Sequence, residues 1–355
     1  MGSLAVLISL IACATLASGA AGARVELTRA HSSRLVGDAL RRDMERHAAR
    51  RLAASGATVS APTRKDTAMG EYLMTLAIRR RANCARTIRR IMVFETFTFG
   101  SSSPANQARV PGIAFGCSNA SSDDWNGSAG LVGLGRGRLS LVSQLGAGRF
   151  SYCLTPFQDT NRTSTLLLGS SAMLSDAGVG STPFVANPTM APMSTYYYLN
   201  LTGISLGTKA LSISSDAFTL TANGTGGLII DSGTTITYLV DAAYQQVRAA
   251  VLSLVTLPTT DGSDATGLDL CFALPSPASA PPAMPSMTFH FNGADMVLPA
   301  DSYMILESGL WCLAMQNNTD GEPSILGNYQ QQNMHILYDL GQEMLSFAPA
   351  NCGTF

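Results

Sequence analysis

The residues whose types and spacing best fit a chemical role form one short stretch, Leu228-Ile229-Ile230-Asp231-Ser232-Gly233-Thr234-Thr235. Its apolar start predicts a buried strand that leads Asp231 into a tight turn, where Gly233 permits close backbone approach. The hydroxyls of Ser232 and Thr234 can donate hydrogen bonds that hold a carboxylate in place. A bare Asp-Ser-Gly is also a routine turn without chemistry. The apolar lead and the paired threonines favour a catalytic carboxylate.

Short strands must position this turn, because apolar residues alternate with other residues in many short runs. We predict strands at residues 72–78, 112–117, 164–168, 196–206, 228–230, 311–315, 334–338 and 344–347. We predict a helix through Val255, capped by Asp241, with one face formed by Tyr244, Val247, Val251 and Val255. A second helical pattern covers residues 24–53.

Length and composition agree with a mainly β protein. The 355 residues are enough for two lobes with sizeable cores. The chain is 46% hydrophobic and only 13% charged, and it contains 33 glycines. Few charges with many small residues fit a β-rich fold better than a helical or disordered one.

The N-terminus predicts secretion. Residues 4–16 are almost entirely apolar, and an Ala-Gly-Ala pattern precedes Arg24. We therefore predict a signal peptide over residues 1–23 and an extracellular or vacuolar protein. The apolar run is shorter than the ~20 residues that a spanning helix needs, and no later segment is longer, so we expect no membrane partner.

Cysteines and glycosylation motifs fit that compartment. The widely spaced cysteines beyond Cys13 predict disulfides rather than a metal site, because no Cys-x-x-Cys pair occurs. The disulfide candidates are Cys117, Cys153, Cys271, Cys312 and Cys352. The candidate N-glycosylation sites are Asn119, Asn126, Asn161, Asn200, Asn223 and Asn317.

Charge is strongly segregated along the chain. Residues 24–65 hold ten Arg or Lys, and residues 79–90 hold six more Arg. The rest of the chain after residue 66 has 7 basic residues against 19 acidic ones. A basic leader could bind nucleic acid. We favour a basic prosegment at residues 24–69 that is held on an acidic domain and released as carboxylates protonate, and we expect no nucleic-acid partner.

Several motifs, in order, resemble one family. Asp231 to Thr235 is similar to the second active-site loop of pepsin-like aspartic proteases. Other segments are similar to further parts of that family, and several of them resemble its plant nepenthesin-like branch. These segments are 114–117, 130–135, 150–154, 196–199, 269–272, 311–313, 324–328 and 328–333. The resemblance covers roughly residues 70–78 and 95–355.

The resemblance implies a fold and an activity. The fold would be a bilobal pepsin-like β-barrel fold, with a truncated N-terminal lobe at 70–190 and a C-terminal lobe at 191–355. The activity would be acid hydrolysis of peptide or protein substrates by a monomer without cofactor or metal, with Asp231 as a catalytic residue. It further implies that Cys271 pairs with Cys312, and that Cys352 meets a cysteine of the first lobe.

One departure from the family is large. The family has a first Asp-Thr-Gly loop and a flap tyrosine in the N-terminal lobe. Here a basic stretch, residues 79–90, stands in that position, and no Asp or Glu occurs between Leu73 and Phe94. The sequence has no other Asp-Thr-Gly or Asp-Ser-Gly, and no tyrosine between Tyr72 and Tyr152.

The missing motif leaves four interpretations open. The chain is an aspartic endopeptidase by descent that is impaired or inactive as written, or a non-catalytic relative that binds or inhibits a glycosidase or other protein. It is otherwise a homodimer in which two Asp231 loops meet, or the product of a missed or misread exon around residues 78–95.

Overall fold

The computed structural model describes residues 23–29, 72–74, 77–78, 91–100, 107–117, 131–159, 161–175, 177–276, 280–307, 309–318 and 321–355. The strands of the first part of the chain are β1 (Ala23–Arg29), β2 (Tyr72–Met74), β3 (Ala77–Ile78), β4 (Ile91–Gly100), β5 (Gln107–Cys117), β6 (Arg149–Cys153), β7 (Ser164–Leu168) and β8 (Gly180–Val185). Strands hold far more of the described residues than helices do, as the composition and the alternation predict.

The second part of the chain continues the pattern of short strands. They are β9 (Tyr198–Leu199), β10 (Leu201–Leu206), β11 (Lys209–Ala210), β12 (Leu228–Ile230), β13 (Thr237–Leu239), β14 (Thr259–Gly262), β15 (Leu268–Ala273), β16 (Met287–Phe291), β17 (Ala294–Leu298), β18 (Met304–Glu307), β19 (Leu310–Leu313), β20 (Met315–Asn317), β21 (Ser324–Leu326), β22 (Met334–Asp339) and β23 (Met344–Pro349). The described α-helices are α1 (Leu141–Gln144), α2 (Asp241–Leu254) and α3 (Ser263–Thr266). Four 3-10 turns are described, at Gly169–Ser171, Met193–Thr195, Ala300–Ser302 and Cys352–Thr354.

A twelve-stranded sheet joins the two lobes. Its strand order is β2-β1-β7-β6-β22-β23-β8-β9-β12-β21-β13-β20. Strands β22 and β23, from the end of the chain, pair with β6 on one side and β8 on the other. The strand after which Asp231 lies, β12, runs parallel to β21 and antiparallel to β9. The site is therefore built on the same sheet that connects the lobes.

Three smaller sheets complete the described structure. Their orders are β11-β10-β16-β17, β14-β15-β19-β18 and β3-β4-β5. In β16 the side chains of Met287, Phe289 and Phe291 are buried, whereas Thr288 and His290 between them are not. This period of two places one face of the sheet against the core and leaves the other toward solvent.

One continuous hydrophobic core runs from the first lobe into the second. It includes Phe97 and Phe115 of the β4–β5 hairpin and reaches Phe289 and Phe347. Stacked aromatic rings lie where the lobes meet: the ring centroids of Phe150 and Tyr338 are 4.4 Å apart. The two lobes therefore share apolar packing as well as backbone pairing.

Several predicted elements match the structure, and two differ by short breaks. The predictions for residues 164–168 and 228–230 have the bounds of β7 and β12. The run 196–206 is two strands separated at Asn200, and the run 311–315 falls across β19 and β20.

The prediction of a helix over residues 24–53 is wrong at its start. Residues 23–29 form β1, which pairs with β7 and β2. The reason is visible in the sequence, because Val25 and Leu27 alternate with Arg24, Glu26 and Thr28, which is a strand period. The remainder of 24–53 lies outside the described residues.

The predicted cap of the long helix is also displaced by one residue. The N-cap position of α2 is Val240, and Asp241 is the first helical residue. There its carboxylate accepts a hydrogen bond from Gln245 Nε2 at 3.0 Å and lies close to the positive end of the helix dipole. The predicted buried face is confirmed: Tyr244, Val247 and Val251 are all buried, and Val255, which is the C-cap residue just after the helix, is buried too.

Candidate active site

Asp231 lies at the end of β12, in a turn that holds both of its carboxylate oxygens. Oδ1 accepts from the Gly233 backbone N–H at 2.8 Å, and Oδ2 accepts from the Thr234 hydroxyl at 3.0 Å. The Asp231 backbone N–H donates to the Leu326 carbonyl at 3.1 Å. The side chain is half-buried, so the carboxylate has a fixed orientation and remains accessible.

The rest of the predicted loop supports the turn. The carbonyl of Ser232 accepts from Asn328 Nδ2 at 3.0 Å, and the carbonyl of Thr235 accepts from the Tyr329 N–H at 2.9 Å. Thr234 and Thr235 are buried, whereas Gly233 is exposed. The hydroxyl of Thr234 donates to the carboxylate, as the sequence predicts. For Ser232, the described hydrogen bond is made by its backbone carbonyl, whereas the sequence predicts one from its hydroxyl.

The segment after β21 crosses close behind the Asp231 loop. Gly327 lies there, and a Cβ at that position would be 2.2 Å from the Ile236 carbonyl oxygen. Its N–H donates to Thr237 Oγ1 at 3.1 Å, and the next N–H, of Asn328, donates to the Thr234 carbonyl at 2.7 Å. The sequence Ile325-Leu326-Gly327 within segment 324–328 therefore reflects a crossing that only glycine fits.

Two buried glutamines link the crossing segment to the surrounding structure. Gln330 Oε1 accepts from the N–H and the hydroxyl of Thr237, at 3.0 and 2.8 Å. Its Nε2 donates to the carbonyls of Ser302 and Ala314, at 3.1 and 3.0 Å. Gln331 Nε2 donates at 2.8 Å to the Leu326 carbonyl, the same oxygen that accepts from the Asp231 N–H.

A tyrosine pair continues this network into the central sheet. The Tyr152 hydroxyl donates to Gln331 Oε1 and lies 2.9 Å from the Tyr338 hydroxyl. Burial raises the pKa of Tyr152 well above its usual value; the hydrogen bond with Tyr338 opposes this, and the charge of Asp231 adds to it. Burial also raises the pKa of Tyr338. Both phenols therefore stay neutral behind the carboxylate.

The sequence did not reveal these roles for Tyr152, Gln330, Gln331 and Tyr338. The segments 150–154 and 328–333, which contain Tyr152 and the two glutamines, served only as marks of family resemblance. The sequence signal that could have pointed to these roles is the run of three glutamines before a strand. A buried amide must have its donors and acceptors satisfied, so buried glutamines imply a hydrogen-bond network.

The other candidate residues lie away from the loop or in separate surface positions. The structure contains the Cys271–Cys312 disulfide that the resemblance implies, and it joins Cys352 to Cys153 of β6. The side chain of Cys117 lies outside the described residues. The described sequon asparagines are all exposed, namely Asn161, Asn200, Asn223 and Asn317; Asn119 and Asn126 lie outside the described residues.

The described residues contain neither a candidate metal cluster nor a membrane-spanning helix. No group of three or more His, Cys, Asp or Glu side chains among them could hold a metal ion. None of the helices described here combines the length and apolar character needed to cross a bilayer.

Comparison with protein families identifies both parts of the chain. A family profile described as "Xylanase inhibitor N-terminal" matches residues 80–170, and one described as "Xylanase inhibitor C-terminal" matches residues 196–349. The second match contains the Asp231 loop and the crossing segment.

Among curated proteins, the chain is similar to plant aspartic proteinases. It is 48% identical over 263 residues to aspartic proteinase nepenthesin-1 of Nepenthes gracilis, which is 73% of this chain and 57% of that protein. It is 44% identical over 264 residues to nepenthesin-2 of the same plant, covering 74% and 58%. The chain thus spans little more than half the length of these relatives.

Solved structures show the same fold at low identity. The crystal structure of edgp matches with a TM-score of 0.62 at 17% identity, covering 99% of this chain and 88% of that one. The crystal structure of Basic 7S globulin from soybean matches with a TM-score of 0.59 at 16% identity, covering 99% and 89%. Taken with the sequence relatives, the chain belongs to the plant nepenthesin-like branch of the pepsin-like aspartic protease family.

Proposed function

We propose that the chain descends from an acid endopeptidase of the nepenthesin-like class, which uses an Asp-activated water to cleave peptide bonds, and that it is impaired or inactive as written. The observation that carries the proposal is the single Asp-Ser/Thr-Gly motif of the sequence, at Asp231. The loop around it keeps the contacts that orient a catalytic carboxylate. Half of the expected machinery is therefore retained.

The chemistry explains why one motif is insufficient. In aspartic proteases two carboxylates share one proton, and their mutual repulsion pushes the two pKa values apart. The ionised member takes a proton from water, and the protonated member polarises the scissile carbonyl. One motif supplies one of these roles, and general acid–base help from the second is worth about 10²–10⁴-fold.

The experiment is an acid protease assay on denatured globin between pH 2 and 5. We expect the purified, acid-treated protein to cleave at the background rate, and Asp231→Ala to be no slower. A chimera with residues 79–94 replaced by an intact family segment should gain pepstatin-sensitive cleavage. That gain shows that the Asp231 half-site is competent and that the first half-site is what the chain lacks.

Two results would contradict inactivity. One is pepstatin-sensitive cleavage by the unaltered chain that disappears in Asp231→Ala. The other is cleavage whose rate per protomer rises with protein concentration, which would favour two Asp231 loops meeting in a homodimer rather than the monomer we propose.

A second candidate function is non-catalytic binding or inhibition of a glycosidase. It is favoured by the two matching family profiles, which carry the description of xylanase inhibitor domains. Titration of the chain against plant and microbial xylanases, followed by activity and by calorimetry, tests it. Inhibition that persists in Asp231→Ala supports this candidate, and absence of binding to the panel leaves the impaired protease.

We also propose secretion to the extracellular space or vacuole with glycosylation. The exposed asparagines of the described sequons support this, because an N-glycan requires a surface position. Peptides or proteins are the proposed partners, and neither nucleic acid nor a membrane is needed.

A further inference from the structure

A second cluster of reactive side chains lies on the outer face of the β11-β10-β16-β17 sheet. Ser205, His290 and Asp295 sit on three adjacent strands, β10, β16 and β17. Their strand neighbours Ile204, Phe289 and Met296 are buried on the inner face. The pleat therefore presents the three polar side chains together on the solvent side.

The three side chains form a connected hydrogen-bond chain. Ser205 Oγ lies 2.7 Å from His290 Nε2, and His290 Nδ1 lies 2.8 Å from Asp295 Oδ1. Cross-strand pairing sets this arrangement, because His290 is directly opposite Asp295 and Ser205 is opposite Thr288, two residues away. Both distances are within the normal range for hydrogen bonds.

The acidic partner determines which nitrogen of the imidazole carries the proton. A carboxylate at Asp295 only accepts, so in the neutral ring Nδ1–H donates to it. Nε2 then has a free lone pair and accepts the Ser205 hydroxyl proton. This is the order of roles in which a serine is activated by a histidine and the histidine is oriented by an acid.

The surface beside Ser205 has room for a small acyl compound. Gly203, two residues before it on the same strand, has open space where a side chain would stand. Val297, opposite Thr288, is 47% exposed and offers an apolar contact. His290 and Asp295 are 34% and 59% exposed, so a ligand reaches them directly from solvent.

We propose that Ser205 is an activated nucleophile that accepts acyl or phosphonyl groups from small activated esters, at a site independent of Asp231. Nothing in the protease proposal requires this site, and its three residues lie outside the Asp231 loop. An open surface leaves the developing oxyanion to water, so the substrates are esters with a good leaving group, such as aryl esters.

The acyl-transfer step is balanced by the three side chains and water. Ser205 Oγ bonds to the ester carbonyl carbon while its proton moves to His290 Nε2. The carbon–oxygen bond to the leaving group breaks, and that group takes the proton from Nε2. Water then attacks the acyl-serine, gives a proton to Nε2 and releases the acid, after which the proton returns to Ser205.

The test is covalent labelling of the full-length protein with an alkyl fluorophosphonate. The serine–phosphorus bond forms, fluoride leaves, and the adduct is located by mass spectrometry. Labelling by a phosphonate is preferred to an assay of ester hydrolysis, because an exposed imidazole alone hydrolyses aryl esters. Trypsin places Ser205 in the peptide ending at Lys209 and the exposed Ser214 in the next peptide, which serves as an internal control.

We expect Ser205 to be labelled at least about 10²-fold faster than Ser214, the lower range of general-base help. Ser205→Ala should remove the adduct, and His290→Gln should reduce labelling to the Ser214 rate. Asp295→Asn should slow it by about tenfold or more, because the correct tautomer is no longer held. Asp231→Ala should leave it unchanged.

Labelling of Ser205 at the Ser214 rate overturns the proposal. So does fast labelling that His290→Gln does not slow. In either case the three side chains are a hydrogen-bonded cross-strand network that stabilises the sheet. Because all three positions are on the surface, circular dichroism of each variant verifies that the fold is retained.

Discussion

Gly327 shows at the scale of one residue how tightly the Asp231 loop is built. A methyl group there would lie 2.2 Å from the Ile236 carbonyl oxygen, which is backbone and cannot move aside. We predict that Gly327→Ala destabilises the protein by more than about 4 kcal/mol or prevents folding. Urea unfolding followed by circular dichroism measures this.

The matched control is Gly148→Ala, because nothing lies within 4 Å of a Cβ at Gly148. It should change the free energy of unfolding by no more than about 0.5 kcal/mol. Equal stability of the two variants would mean that the segment does not cross behind the loop as described.

Gln330 carries four hydrogen bonds in a fully buried position. Gln330→Leu keeps the size of the side chain and leaves the Thr237 N–H and two carbonyls without this partner. At about 1–3 kcal/mol for each unsatisfied buried group, we predict a loss of about 3 kcal/mol or more in the free energy of unfolding. Chemical denaturation measures it.

Exposed Gln342 provides the control for that substitution. Gln342→Leu should alter stability by less than about 0.5 kcal/mol. If both leucine variants were equally mild, the amide of Gln330 would not be a structural link between the crossing segment and its neighbours.

Among the elements, the segment between β3 and β4 has the most unusual sequence. Residues 79–90 contain six arginines and no alternation, and they lie outside the described residues. Six arginines cannot be buried in a sheet unless each has a partner for its charge. We therefore predict that trypsin cuts the folded protein within 79–90 before it cuts at Arg136 or Arg248.

Arg136 and Arg248 serve as internal reference sites for the trypsin experiment. Arg136 forms an ion pair with Glu343 and lies 5.7 Å from the centroid of the Phe184 ring, and Arg248 is on α2. N-terminal sequencing of the first large fragment identifies the cut. A folded chain whose 79–90 segment outlasts Arg136 would contradict the prediction.

The elements also show what the sequence could predict. Local patterns located β7, β12 and the buried face of α2, because period and burial are encoded within a few residues. They located the Asp231 turn for the same reason. The break at Asn200 falls where the chain passes from β9 in the twelve-stranded sheet to β10 in a smaller sheet, and this change depends on the partner strands.

Contacts between distant strands could not be predicted in this way. Ser205 and His290 are 85 residues apart, and Tyr152 and Gln331 are 179 apart. Neither pair has a local signal, because cross-strand register decides which side chains meet. The polar network behind Asp231 and the hydrogen-bond chain of Ser205, His290 and Asp295 could therefore be recognised only from the structure.

At the scale of the whole molecule, buried phenols predict the response to alkali. The pKa values of six of the ten tyrosines are raised, chiefly by burial; they are Tyr152, Tyr197, Tyr198, Tyr244, Tyr303 and Tyr338. In the unfolded chain these phenols ionise at about pH 10. Stability that is present below pH 10 is thus lost as pH rises above it, because the unfolded state then binds fewer protons than the folded one.

Absorbance at 295 nm during a pH titration tests this expectation. No more than four of the ten tyrosines should ionise while the native circular dichroism spectrum persists. The remainder should ionise together with unfolding, and all ten should titrate at about pH 10 in denaturant. Ionisation of more than four in the native state would contradict the described burial.

The position of β22 and β23 in the middle of the large sheet has a consequence for biosynthesis. The ribosome completes β6 and β8 long before residues 334–349, which fill the space between these two strands. Until then the growing chain presents two open strand edges, which are templates for wrong pairing with other chains. The stretch that joins the halves is therefore translated after both of them, and the Cys153–Cys352 bond, which spans 199 residues, can form only once Cys352 has been translated.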